Sequence, residues 1–233
     1  LLERLINSDG GDYRGRTLRS PKGEVFEFKE YRDKKVLTVL GPVRVQRAYY
    51  YDKDCGEGYC PKDVALDIAE TSFSPGVRRI MAKAGAYRPF GLGHEDIKEM
   101  AGIEVDSKAI ERTSHQLGEQ VEGFYRSEGS QFLSGKIVPL RPVTTMYICI
   151  DGTGVPVVKA ETANRKGKGQ QGQAKTREAK LGCVFTQTTV DEKGHPKRDE
   201  NSTSYVGAIE TTEPFGNRIY AEALRRGLER TQK

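Results

Sequence analysis

From residue 146 the chain alternates. Met146, Ile148 and Ile150 fall on one side of an extended segment and Tyr147, Cys149 and Asp151 on the other, until Gly152 offers a turn. The pattern predicts a buried strand that ends in a carboxylate. Residues 159–180, KAETANRKGKGQQGQAKTREAK, hold Gly167, Gly169 and Gly172 and hardly any apolar residue, which predicts an exposed, mobile loop. Alternation returns over 181–190, LGCVFTQTTV, and the turn Asp191-Glu192-Lys193-Gly194 closes it. A third strand is expected over 204–209. Thr212 then caps a helix with Glu213 and Pro214 in its first turn. Ile219, Tyr220, Ala223, Leu224 and Leu228 share its apolar face, while Arg218 and Arg225 point towards water or a partner. Arg225, Arg226 and Arg230 lie near the end where cations suit the helix dipole.

Upstream, residues 1–8, LLERLINS, make a short amphipathic start and 10–23 a loop. Residues 24–31, 35–40 and 43–51 alternate apolar and polar positions and are separated by Arg32-Asp33-Lys34 and Gly41-Pro42, which predicts a three-stranded meander. The pattern then turns helical. One helix is expected over 63–70, a second begins at Ser74-Pro75 and runs through Val77, Ile80, Met81 and Ala84, and a third spans 95–101. After a turn over 102–105, Asp106 or Ser107 caps a longer helix with the stripe Ala109, Ile110, Leu117, Val121 and Phe124. Two helices joined by a glycine-containing turn outline a helix-turn-helix. Lys108, Arg112, His115 and Gln116 lie off the stripe, where they would reach base edges or phosphates. A plain helical hairpin with a solvated outer face carries the same pattern.

These elements divide the chain into a β-meander (1–61), a helical region (62–128), a linker (129–142) and a sheet domain (143–233). The fold class is therefore mixed, α+β or α/β and multidomain. The 233 residues suffice for a sizeable core. A net charge of +5, a pI near 8.9 and a mean hydropathy of −0.65 describe a mildly basic chain that permits nucleic-acid binding without requiring it. The four cysteines, Cys55, Cys60, Cys149 and Cys183, show no disulfide-framework spacing, so a reducing cytoplasm is the expected setting. No run approaches the roughly 18 apolar residues of a membrane span.

A strand bearing an acid, two further strands and a helix is the order that opens an RNase H-like domain (β-β-β-α). On spacing alone Asp151-Gly152 reads first as a turn, but this order gives the acid a second meaning. The runs YICIDGTGVPVV, TREAKLGCVFTQTTVDEKG and STSYVGAIETTEPFGNRIYAEALRRG resemble the transposases of bacterial insertion sequences of the ISKra type, which are DDE enzymes. The resemblance covers about 36–232 and is densest from Met146 onward. It implies cutting and joining of DNA by two divalent ions, Mg²⁺ or Mn²⁺, held by two Asp and one Glu. Only the first acid maps onto this chain, at Asp151. The match stops before the strand that would bring the second, so the chain resembles a truncated transposase, inactive by itself. If the three strands run antiparallel, Glu210 returns to the sheet edge that Asp151 occupies and is a secondary candidate ligand; a surface carboxylate is its plainer reading.

The resemblance also implies paired C-x-x-C zinc knuckles around the meander. Here Asp52 stands where the first cysteine of one pair belongs, and no cysteine precedes Cys55. Cys55 and Cys60 alone, spaced C-x4-C, read as a zinc ribbon that has lost its metal, so zinc is not expected. The expected partner is DNA, meaning transposon ends, gripped by Lys108, Arg112, His115, Gln116 and the loop residues Lys166, Lys168, Lys175 and Arg177. Self-association stays open, and the location implied is the cytoplasm, at the bacterial nucleoid. The alternatives are a DNA-binding module, a relic without function, and an RNase H-like nuclease or resolvase.

Overall fold

A computed structural model describes residues 1–19, 23–138, 143, 145–167 and 172–228. The chain is a mixed α+β protein with antiparallel sheets, and it divides into two compact units, Leu1–Gln120 and Val121–Lys233. Among the described residues no helix is long and apolar enough to cross a membrane.

The first unit begins with α1 (Leu2–Ile6) and a four-stranded sheet in the order β1 (Thr17–Arg19), β2 (Val25–Thr38), β3 (Gly41–Tyr51) and β4 (Gly58–Tyr59). The three expected strands are two here. Residues 24–31 and 35–40 belong to one long β2, because Arg32-Asp33-Lys34 does not turn. Arg32 lies 3.5 Å over the Tyr49 ring, and Lys34 Nζ donates to the Ile68 carbonyl at 2.5 Å. Both charges are thus accommodated within a continuous strand, whose pairing with β3 shifts register between Phe28 and Glu30. Gly41, with φ of 102°, makes the turn into β3.

Helix α2 (Pro61–Ala65) is shorter than the expected 63–70, since Asp67 takes a positive φ of 54° that no right-handed helix can continue. Next come α3 (Pro75–Tyr87) and α4 (Phe90–Ala101). Ser74 caps α3 by accepting from the Val77 amide, with Pro75 behind it. Gly102, at φ 63°, stops α4 in the left-handed conformation, and the Asp106 carboxylate caps the Ala109 amide at 2.8 Å to start α5 (Ser107–Leu133). Val77, Met81, Ile97, Ile103, Val105, Ala109 and Ile110 form one core between these helices. Ala109 and Ile110 are buried as the stripe predicts, whereas Val121 and Phe124 of the same stripe are exposed. Helix α5 is 27 residues long and absorbs 129–133 of the expected linker; the linker residues 139–142 lie outside the described residues.

In the second unit, β5 (Met146–Pro156), β6 (Thr176–Thr186) and β9 (Ser204–Ala208) form an antiparallel sheet in the order β5-β6-β9. The short hairpin β7 (Thr189–Val190) and β8 (Pro196–Lys197) lies between β6 and β9 in sequence. Strand β5 does not end at Asp151. It continues through Gly152 to Pro156, and it is exposed rather than buried along most of its length. The expected loop over 159–180 contains a single helical turn, α6 (Lys159–Thr162), and the first five residues of β6.

Helix α7 (Thr212–Arg225), with Thr211 rather than Thr212 at the N-cap position and no side-chain capping hydrogen bond, covers one face of this sheet. Val184, Ile219 and Ala223 make the shared core, with Met146 and Leu228 against it. Gly182 permits the close approach: a Cβ there would lie 2.3 Å from Ile219 Cδ1 and 3.4 Å from Phe215 Cζ. Because strand residues alternate, the even-numbered residues of β6 face α7, and so do their register partners Ile148 and Ile150 on β5. The odd-numbered set, Tyr147, Cys149 and Asp151 with Phe185, Cys183 and Leu181, faces the other way.

Gly182→Val is expected to lower stability by about 1–3 kcal/mol by overpacking this contact. Urea unfolding checks it, and adding Ile219→Ala to Gly182→Val should recover part of the loss.

Candidate functional site

Asp151 sits at the sixth of eleven positions on β5, an edge strand with no neighbour on its outer side among the described residues. It is exposed. Its Oδ1 accepts the amide of the next residue, Gly152, at 2.7 Å. Its cross-strand partner is Leu181, and the row continues to Gly207 on β9, so no second acid shares the row. Tyr147 and Phe185 stack on the same face, ring centroids 5.2 Å apart and planes within 9°, and Arg198 lies 3.7 Å over the Phe185 ring.

Glu210 lies two residues beyond the end of β9. Both of its oxygens are engaged by Arg218, at 2.9 Å from Nε and 3.0 Å from Nη2. The same guanidinium holds both oxygens of Glu122 on α5, at 2.9 and 2.7 Å. Arg218, expected to look outward, is thus clamped between two carboxylates, which push its pKa further up, Glu210 most and Glu122 next. In return, hydrogen bonding from Arg218 holds Glu122 below the usual glutamate range. A second clamp sits along α7. Buried Glu222 accepts from Arg225 Nε at 2.8 Å and Nη2 at 2.7 Å, from Arg226 Nε at 3.4 Å, and from the Ser204 hydroxyl on β9. Burial alone would raise Glu222, but these donors outweigh it and hold the carboxyl below its ordinary value.

Divalent ions need several converging carboxylates. Among the described residues no group of three His, Cys, Asp or Glu side chains is arranged to hold a metal. With Asp151 alone in its row and Glu210 held by Arg218, the described residues do not by themselves fit a two-ion group. Cys55 and Cys60 fare no better. Cys55 is exposed in the turn after β3, and Cys60 is half-buried at the start of α2, where burial pushes its thiol above the ordinary range against a smaller opposing pull from Arg47. A closed zinc site needs four ligands, and among the described residues these two cysteines belong to no group of three or more His, Cys, Asp or Glu side chains placed to hold a metal.

Lys108, Arg112, His115 and Gln116 are all exposed on α5. Lys108, Arg112 and Gln116 follow one another at i, i+4 and form a basic row; Glu111, His115 and Glu119 form the acidic row beside it. A shallow depression lined by Asp106, Ser107, Lys108, Glu111 and Arg112 marks the start of this face. In the β5–β6 connection Lys166 and Lys175 are exposed, Lys166 in an isolated bridge to Gln173, and Lys168 lies outside the described residues. Arg177 is not free for a ligand: it pairs with Glu161 at 2.5 Å and donates to the Ile209 carbonyl at 3.0 Å. Lys159 and Arg165, which the sequence reading passed over, are exposed in the same connection. The signal for them was simply the charge run itself.

No protein-family model matches this chain, and no curated protein matches it. The geometry therefore carries the functional reading.

Both clamps make stability depend on acid. Glu122 and Glu222 titrate below the ordinary value of 4.5, so the stability they contribute is fully present above that pH and is lost as pH falls through their lowered values. The urea midpoint should fall steeply below pH 4.5. Glu222→Gln should lower the midpoint at pH 7 and flatten that acid limb.

Proposed function

We propose that this chain is a DNA-binding part of a DDE-type transposase, with 143–233 the opening portion of an RNase H-like domain and Asp151 its first acid. The observation that supports this best is the sheet. Three antiparallel strands in the order β5-β6-β9 are followed directly by a helix packed on one face, and Asp151 stands on the opposite, open face of the first strand. The first strand is also an edge, so an additional strand has a place beside the acid.

The grip on DNA comes from two surfaces. Helices α3, α4 and α5 share one core with a glycine turn before α5, which suits a helix-turn-helix reading, and α5 carries the basic row Lys108, Arg112 and Gln116 outward. The β5–β6 connection presents Lys159, Arg165, Lys166 and Lys175, none of which makes an ion pair among the described residues. Free cations of this kind attract phosphate without reading bases. Asp151 without companions does not supply the carboxylates that two ions require, so the chain binds DNA without cutting it. Mg²⁺ or Mn²⁺ chemistry belongs to an enzyme in which further acids stand beside Asp151.

Affinity for a duplex oligonucleotide, followed by fluorescence anisotropy, should fall linearly with log salt. Lys166→Ala and Lys175→Ala should each reduce the slope by about 0.9 per lost phosphate contact. An affinity indifferent to salt would remove the DNA reading. With Mg²⁺ or Mn²⁺ the chain should leave linear DNA intact, and Asp151→Ala should bind as the parent does. Cleavage that disappears in Asp151→Ala would contradict the reading of an inactive chain.

A further inference from the structure

Cys149 and Cys183 are direct register partners on neighbouring antiparallel strands, β5 and β6, and both are free thiols. Residues so paired have Cα atoms roughly 4.5 or 5.5 Å apart, depending on the hydrogen-bonding parity of the pair. Either separation falls inside the span of about 4.4–6.8 Å that a disulfide bridges without backbone movement. Side chains opposed on this face do meet, as the stacked rings of Tyr147 and Phe185 in the adjacent row demonstrate. The face is accessible: Cys149 is exposed, Cys183 is half-buried, and the flanking Leu181 and Tyr205 are 52% and 67% exposed.

We infer that Cys149 and Cys183 form a closable dithiol, a site of reversible oxidation by small disulfides on the face that also bears Asp151. The exposed Cys149 thiolate attacks one sulfur of the small disulfide, so that a mixed disulfide forms and one thiolate leaves and takes up a proton. Cys183 then loses its proton to solvent and attacks the Cys149 sulfur. The Cys149–Cys183 bond forms, the second small thiol departs, and two electrons have passed from the dithiol to the small disulfide. The bond staples β5 to β6 two residues from Asp151. This inference does not rest on the DNA reading.

The test uses the full chain carrying Cys55→Ser and Cys60→Ser, so that two thiols remain, incubated with oxidised glutathione, quenched by alkylation and weighed intact. The expected product is a monomer about 2 Da lighter with no alkylated thiol, reflecting loss of two hydrogens. Adding Cys183→Ser, or Cys183→Ala should the serine fail to fold, should leave a persistent glutathione adduct on Cys149. Peptide mapping of the unsubstituted chain reads the same bridge and does not depend on any variant folding. Two stable glutathione adducts on one chain, or a bridge between two chains, would overturn the inference.

Discussion

Everything described for the second unit depends on how closely α7 can approach β6. Gly182 has no side chain, Ile219 fills the space, and Val184 and Ala223 complete the contact. Once the even-numbered residues of β6 are committed to the helix, strand alternation leaves the odd-numbered set no choice. Asp151, the two cysteines and the stacked Tyr147–Phe185 pair then share the opposite face. A one-residue slip of β5 against β6 would carry the acid under the helix and bury a charge among apolar groups.

Arginine does much of the work of holding this unit together. Arg218 ties Glu122 on α5 to Glu210 after β9, and Arg225 and Arg226 secure Glu222, which also reaches Ser204. Planar guanidinium groups suit such two-pronged engagement of carboxylates. These three arginines are therefore committed to internal carboxylates rather than to a partner. Other cations make no ion pair among the described residues, including Lys159, Arg165, Lys166 and Lys175 in the β5–β6 connection and Lys108 and Arg112 on α5.

Much of the architecture was legible from the chain. The Ser74-Pro75 cap, the Gly102 stop and the Asp106 cap were readable because each rests on local chemistry. What escaped the sequence was non-local. Arg32-Asp33-Lys34 resembled a turn because its partners, Tyr49 and the Ile68 carbonyl, are distant in sequence. Asp151-Gly152 resembled a strand end, yet the pairing of β5 with β6 continues to Pro156 and sets Gly154 opposite Glu178. The Cys149–Cys183 pair was invisible because the long connection between the strands leaves their register undetermined until β5 and β6 are seen side by side. The commitment of Glu210 to Arg218 depends on a helix facing it, which the sequence order alone does not fix.

The outer side of β5 has a consequence for the behaviour of the protein in solution. Eleven residues run without a bulge, a lysine or an internal proline, and Ile148 and Ile150 remain 44% and 57% exposed beside them. Proteins ordinarily guard such a margin with one of those devices, because a bare row of amides and carbonyls is a template on which any extended chain can grow. Among the described residues the one charged side chain on this strand is Asp151, with the Glu178 carboxylate of β6 against its neighbour Gly152. An extended segment laid along this margin would find backbone amides and carbonyls that no described strand engages.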